Sequence, residues 1–259
     1  MVGSVPYLLV IISVFLTSLL SGVVGMAGGI ILLAILVSLM SVPNAMFLHG
    51  LVQAFANGSR FLLIRQHVVW STLPAYFLGT ATALVPFVLL TIVPHKGLLL
   101  LLIGIVTLIG VNIPKNWGLD IKKPWVSFLC GATVGFTQLL AGTSGPILDL
   151  FFQKSQLNRF EIVATKAFTQ TIGHVCKMGY YLYITVQLNW LSSGQEILGL
   201  TLVAVFVSML GTWCGVQILY RVPEQTFQNL VPWIIRVVSI LCVLQGIWEL
   251  VTQSFNLEV

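Results

Sequence analysis

The chain has 259 residues, of which 58% are hydrophobic and only 7% are charged. A soluble domain carries about 25% charged residues, so this composition predicts an integral membrane protein and excludes a sizeable soluble domain. The formal net charge of +5 does not indicate nucleic-acid binding, because the basic residues are scattered along the chain rather than clustered.

Ten apolar segments follow one another, and their continuous hydrophobicity favours α-helices over a β-barrel. The first half contains Val5–Gly25, Gly28–Met40, Asn44–Ile64, Trp70–Val93 and Gly97–Ile113, and it ends in a polar loop, Pro114–Lys123. The second half contains Pro124–Ala141, Gly145–Phe152, Glu161–Ile184, Gln195–Tyr220 and Phe227–Val251. We therefore expect an all-α integral membrane fold made of two repeats, residues 1–118 and 119–259. In each repeat a glycine-broken helix pair precedes three transmembrane helices.

Glycines interrupt the apolar run near the start of each half. The first stretch reads LSGVVGMAGGIILLAIL, and the second reads GFTQLLAGTSGPILDLFF. Helix N-termini bind anions through their free N–H groups and the helix dipole, so the short helices predict two backbone contributions to an anion site. The expected ligand contacts in these stretches are Gly28, Gly29, Thr143, Ser144 and Gly145. Thr143 and Ser144 are also candidates to cap the second short helix. Close helix packing is the expected role of Gly22, Gly131 and Gly135.

A polar stripe marks the third segment of each half, and the two stripes align at an offset of 117 residues. The first stripe is His49, Gln53, Asn57 and Arg60, and the second is Lys166, Gln170, His174 and Lys177. This spacing places each stripe on one helix face, and such a face is too costly to expose to lipid. We expect substrate contacts from His49, Gln53, Asn57, Gln170 and His174. For His49, Gln53 and Asn57, interhelical hydrogen bonding is an equally good interpretation.

The cations of the two stripes are expected to differ in role. Lys166 lies in mid-segment with no acidic residue within a turn, so we expect it to supply the positive charge of the site. Arg60 and Lys177 lie nearer segment ends, where long cationic side chains reach the headgroups.

Lys and Arg placement orients the chain in the membrane. If the loop with Lys122 and Lys123 is cytoplasmic, most other basic loop residues fall on the same side and Lys96 falls outside. Both termini are then periplasmic, and the halves cross in opposite directions as inverted repeats. Either full crossings or re-entrant hairpins fit the first two segments of each half.

The two broken stretches, SGVVGMAGGIILLAIL and AGTSGPILDLFF, resemble those of the TauE/SafE family, also called the sulfite exporter family. The similarity extends over nearly the whole chain. It implies a secondary transporter, in the exporting direction, for sulfite, thiosulfate or an organosulfonate such as sulfoacetate, in the bacterial inner membrane. It implies no cofactor and no metal. The expected partners are the anion, the lipid bilayer and a second copy in a homodimer, and none is a nucleic acid.

Two other functions compete with transport. An intramembrane enzyme would use His49 or His174 as a general base, but no HExxH, GxSxG or P-loop motif accompanies them. A structural subunit would use the stripes only to join helices. Within the transporter hypothesis, either histidine is also a candidate to couple protons.

Overall fold

The computed structural model describes residues 7–24, 27–114, 117–187, 194–219 and 224–256, which form helices and no strands. Within these residues the helices are α1 (Tyr7–Val24), α2 (Ala27–Leu39), α3 (Val42–Ile64), α4 (Leu73–Leu90), α5 (Lys96–Asn112), α6 (Pro124–Leu140), α7 (Gly145–Leu150), α8 (Arg159–Gln187), α9 (Gly194–Leu219) and α10 (Glu224–Asn256). Two short 3-10 turns, Arg65–His67 and Trp70–Thr72, lie before α4. The all-α fold is therefore confirmed, and each predicted segment is a helix.

Three of the described helical stretches are long and apolar enough to cross a membrane, Trp70–Leu90, Gly199–Ile218 and Pro232–Thr252. Helices α1, α2, α5 and α6 are apolar but shorter. The polar stripes make α3 and α8 less hydrophobic, and these two helices pack against each other. The pair α3 and α8 thus carries the polar stripes, and the more apolar helices carry exposed Leu, Ile and Trp side chains suited to contact with lipid.

The principal helix pairs are α1 with α9, α4 with α6, α3 with α8, and α5 with α10. Exchanging the first five helices with the last five leaves this pattern unchanged. Glycines permit the close approaches: a Cβ added at Gly22 would lie 2.7 Å from the Thr212 carbonyl oxygen, and one at Gly131 would lie 1.9 Å from that of Tyr76. The expected packing roles of Gly22 and Gly131 are confirmed, because any larger side chain would push the paired helices apart.

The second glycine-broken pair returns to the end of the molecule from which it starts. Helix α7 has six residues and is about 9 Å long, far short of the roughly 30 Å hydrocarbon core. The backbone N–H of Leu119, in the loop before α6, donates to the carbonyl of Leu150 at the end of α7 (2.8 Å). The start of the α6–α7 pair and its end therefore lie on the same side of the molecule, as in a re-entrant hairpin. We call this side of the molecule the basic end, because its loops carry Arg65, Lys122, Lys123 and Lys154.

The first pair belongs to the opposite side, which we call the Lys96 end. Ser38, at the end of α2, accepts a hydrogen bond from Gln245 of α10 (2.9 Å). One turn further along α10, Glu249 pairs with Lys96 at the start of α5 (2.7 Å). Tyr7 at the start of α1 shares a groove with residues near the start of α9. The α1–α2 pair thus begins and ends at the Lys96 end.

Candidate functional site

The site lies between α3 and α8, which run antiparallel. Phe61 of α3 packs on Phe168 of α8 with ring centroids 4.7 Å apart, whereas Gly50, nearer the start of α3, faces the His174–Met178 stretch of α8. The stripe residues His49, Gln53, Asn57 and His174 are all buried. Both stripes therefore face protein rather than lipid, as the cost of exposing them to hydrocarbon requires.

A small polar cavity, with a volume of about 30 Å³, separates the two stripes. This is space for about two waters, so a ligand held in this conformation must be small. Both halves contribute to the wall. It is lined by Ser21, Gly29, His49, Gln53, Asn57, Arg60, Gln138, Thr143, Ser144, Gly145, Gln170 and His174.

Hydrogen bonds fix His174 at the cavity. Ser144 Oγ donates to Gln138 Oε1 (2.7 Å), and Gln138 Nε2 donates to His174 Nδ1 (2.7 Å). The neutral His174 ring then carries its proton on Nε2. Ser144 precedes the first residue of α7, but its hydroxyl makes no capping bond to the helix, so that predicted role is wrong. Ser144 has φ −147° and ψ 0°, which differs from the extended conformation usual at an N-cap.

A second group of hydrogen bonds joins His49 to Lys177. His49 Nε2 lies 2.8 Å from the carbonyl oxygen of Gly29, and a carbonyl can only accept, so Nε2 carries the proton. His49 Nδ1 then accepts from Lys177 Nζ (2.5 Å), which also donates to the carbonyl of Gly142 (3.0 Å). Gly142 has φ +68°, the left-handed conformation common just after a helix, here α6. The chain thereby turns so that its carbonyl receives the lysine.

The expectation that Lys177 reaches the headgroups is wrong. Its side chain is fully buried, because the His49 ring and the Gly142 carbonyl satisfy two of its N–H groups inside the protein. Arg60 also stays inside: it is half-buried, lines the cavity, and donates through Nη2 to the carbonyl of Ser21 (3.0 Å). Both cations belong to the stripes, so the sequence contained the signal, and their nearness to segment ends was misleading.

Lys166 does not join the cavity. Its ammonium forms an ion pair with Asp149 of α7, and it is absent from the cavity wall. Contrary to the expectation, Lys166 therefore does not supply a free positive charge to the cavity in this structure. Asp149 lies seventeen residues earlier in sequence, on another helix, and only the packing of α7 against α8 brings the carboxylate within reach.

The two adjacent glycines of α2 have different surroundings. A Cβ at Gly28 would lie 1.9 Å from the Thr17 carbonyl oxygen of α1, whereas one at Gly29 would meet the Gln53 amide at 3.2–3.4 Å. Gly29 lines the cavity and Gly28 does not. Gly28 is therefore a packing glycine in this structure, because successive residues on a helix point about 100° apart. On α7, Gly145 lines the cavity as predicted by its position.

One buried donor at the cavity has no partner. Gln53 Nε2 makes no hydrogen bond within the described part of the chain, although the side chain is 4% exposed. Leaving a buried amide donor unsatisfied costs about 1–3 kcal/mol. Asn57 differs, since its Nδ2 donates to the carbonyl of Gln53 (3.0 Å). The cavity-lining residues include no Asp, Glu or Cys, while Thr143 and Ser144 bring hydroxyl groups to the wall.

Comparison with known proteins gives one result. A family model described as Sulfite exporter TauE/SafE matches residues 10–242. No curated protein and no solved structure gives a match. The family match covers most of the chain and agrees with the apolar helices. The protein is a multi-pass membrane transporter that belongs to the TauE/SafE sulfite exporter family.

Proposed function

We propose that the chain exports a small sulfur-containing oxyanion, of the sulfite, thiosulfate or sulfoacetate type, through the cavity between α3 and α8. Gln53 carries this proposal, because its side chain lines the cavity and its buried Nε2 has no acceptor within the described residues. Arg60 adds a positive charge, and the proton on His174 Nε2 adds a second donor. An anion with several oxygens would accept from all three groups, and the cavity wall offers no carboxylate to repel it.

Transport would proceed by alternating access between residues 1–118 and 119–259, acting as inverted repeats. Two features support this arrangement. The principal helix pairs stay the same when the first five helices are exchanged with the last five, and the two helix hairpins lie at opposite ends of the molecule. With the basic end in the cytoplasm of a bacterial inner membrane, the potential alone expels an anion. The termini, expected in the periplasm, lie outside the described residues. The homodimer stays a prediction. A measurement of the molecular mass of the detergent-solubilised protein tests it.

Sulfite flux into proteoliposomes tests the proposal. Arg60→Gln removes the cavity charge, and we expect the flux at subsaturating sulfite to fall about tenfold or more, the usual value of a charge-assisted hydrogen bond. Arg236→Gln is the matched control, since Arg236 bonds Asn112 outside the cavity. Equal flux in the two variants would contradict the assigned site.

A thermal-shift panel of sulfite, thiosulfate, sulfoacetate, taurine, sulfate and acetate identifies the substrate class. We expect stabilisation by one or more of the first three anions in the wild type, since a ligand bound to the folded state raises its stability. Equal stabilisation by acetate would indicate general anion attraction and would overturn the sulfur-anion assignment.

A further inference from the structure

Some residues related by the repeat both line the cavity, whereas others do not. Three pairs of positions related by the 117-residue offset line it from both sides: Ser21 and Gln138, Gln53 and Gln170, Asn57 and His174. The pair Arg60 and Lys177 breaks this rule, because Arg60 lines the cavity and Lys177 lies behind His49. Equivalent cations therefore have different environments.

Arg60 and Lys177 lie towards opposite ends of the cavity, and the two ends differ in how closely they are packed. Arg60 lies towards the basic end, at the level of Phe168, and is half-buried. Lys177 lies towards the Lys96 end, where the neighbouring Tyr180 hydroxyl donates to the carbonyl of Ile92 (2.7 Å) and Met46 is fully buried beside Gly142. In this conformation the cavity wall is more open at Arg60 and sealed at Lys177.

Lys177 also has no carboxylate among its contacts. Among the described residues the ion pairs are Lys96 with Glu249 and Lys166 with Asp149, and the partners of Lys177 are a neutral ring and a carbonyl. A charged group held inside a membrane protein without an opposite charge is costly, so such groups mark ion pathways. A transported anion would compensate this charge.

We propose that Arg60 and Lys177 are alternating anion contacts. Arg60 meets the anion in the present conformation, and Lys177 meets it in the conformation open to the Lys96 end, after leaving His49 and Gly142. In that second conformation Lys177 takes the place at the cavity wall that Arg60 has now, and Arg60 withdraws. The inference rests on the proposed anion transport and on the inverted repeat.

The ion pair of Lys166 stays outside this exchange. Lys166 is the repeat counterpart of His49, but the counterpart of Asp149 in the first half is Leu32, an apolar residue. The first half thus has no equivalent of this ion pair. Asp149 compensates the Lys166 charge in this structure, so Lys166 needs no anion from the cavity.

Sided transport kinetics test the exchange. Sulfite is offered on either face of right-side-out and inside-out vesicles, and the half-saturation concentration is measured for each face. We expect Arg60→Gln to raise this concentration about tenfold for sulfite at the basic end, and Lys177→Gln to raise it about tenfold for sulfite at the Lys96 end. Lys177→Arg keeps a cationic side chain, so its half-saturation concentration should stay close to that of the wild type. Arg236→Gln should change the half-saturation concentration on neither face.

The outcomes separate the two proposals. Absence of sulfite flux in the wild type would overturn the proposed function itself. Wild-type flux with an equal increase on both faces in Lys177→Gln would show that Lys177 only positions His49, and it would overturn the exchange alone.

A second measurement leaves Lys177 in place. Met46→Cys, in a chain whose four native cysteines are replaced by Ala, probes the sealed side of the cavity. During sulfite turnover we expect a membrane-impermeant cationic thiol reagent to modify this cysteine from the Lys96 end. No reaction from that end, in a variant that still transports sulfite, would overturn the exchange.

Discussion

At the residue scale, Gln53 shows how an anion site differs from a packed core. Its Nε2 makes no hydrogen bond within the described part of the protein, so it offers a ligand a donor without the loss of an existing protein contact. The neighbouring polar residues do not share this property to the same degree, since Asn57 and Gln138 already donate within the protein.

Replacement of Gln53 by Leu should separate stability from binding. The buried leucine has a similar volume and no polar group, so we expect the fold to be retained with an unfolding temperature without ligand close to or above that of the wild type. The sulfite-dependent thermal shift should disappear. Thermal unfolding monitored by intrinsic fluorescence measures both effects.

Gln245→Leu is the matched control. Gln245 donates to Ser38 at an exposed position, so its loss should leave the unfolding temperature unchanged or lower and the sulfite response intact. A lower unfolding temperature for Gln53→Leu would contradict the unpaired state of its amide.

At the scale of elements, α2 divides its two glycines between packing and binding. Gly28 lets α2 contact the backbone of α1, and Gly29 faces the Gln53 amide of α3. The backbone of α1 cannot yield locally, whereas an amide at the tip of a side chain can. The two positions therefore predict opposite consequences for the same substitution.

Gly28→Ala should destabilise the protein by about 1–3 kcal/mol, because its methyl group overlaps the Thr17 carbonyl. Gly29→Ala should fold with nearly wild-type stability but should weaken sulfite binding by displacing Gln53. Thermal unfolding and a sulfite titration of both variants measure the difference. The interpretation fails if the two variants behave alike.

The ion pair between α7 and α8 provides another prediction. It lies near the basic end, with side chains that are 19% (Lys166) and 42% (Asp149) exposed, so it stabilises the fold by at most about 1 kcal/mol. Lys166→Ala should therefore cost little stability and should change the half-saturation concentration for sulfite by less than about twofold, in contrast to Arg60→Gln. A tenfold increase in sided flux assays would return Lys166 to the anion site.

At the scale of the whole molecule, the loops divide between two ends. Hydrogen bonds join the loop before α6 to the end of α7, and Val69, before α4, donates to Thr165 near the start of α8. These loops carry Arg65, Lys122, Lys123 and Lys154 to one end, and cytoplasmic loops are the ones enriched in Lys and Arg.

Single cysteines in a cysteine-free background test this orientation. Gln153→Cys should react with an impermeant thiol reagent in inside-out vesicles, and Lys96→Cys should react in right-side-out vesicles, because the two positions lie at opposite ends. Labelling of both cysteines from the same face would contradict the two-ended arrangement, and reversed labelling would invert the proposed orientation.

Much of this organisation could be predicted from the sequence. Continuous apolar runs predict the helices, and stripes such as His49, Gln53 and Asn57 predict the buried pair, because helical period and hydrophobicity are local properties. The role of Gln138 was not predicted. Gln138 lies in a mostly apolar helix, and only the tertiary structure places it at the cavity wall beside His174.

Composition determined by itself the membrane class, and the continuous apolar runs determined the helices. The glycine-broken stretches carried the resemblance to a transporter family. Only the tertiary structure decided which cation lies at the centre. Lys166 and Lys177 are eleven residues apart, about three turns, so they share one face of α8 and the helical period cannot distinguish them. Contacts with other helices distinguish them: Asp149 of α7 pairs with Lys166, while His49 of α3 and the carbonyl of Gly142 hold Lys177.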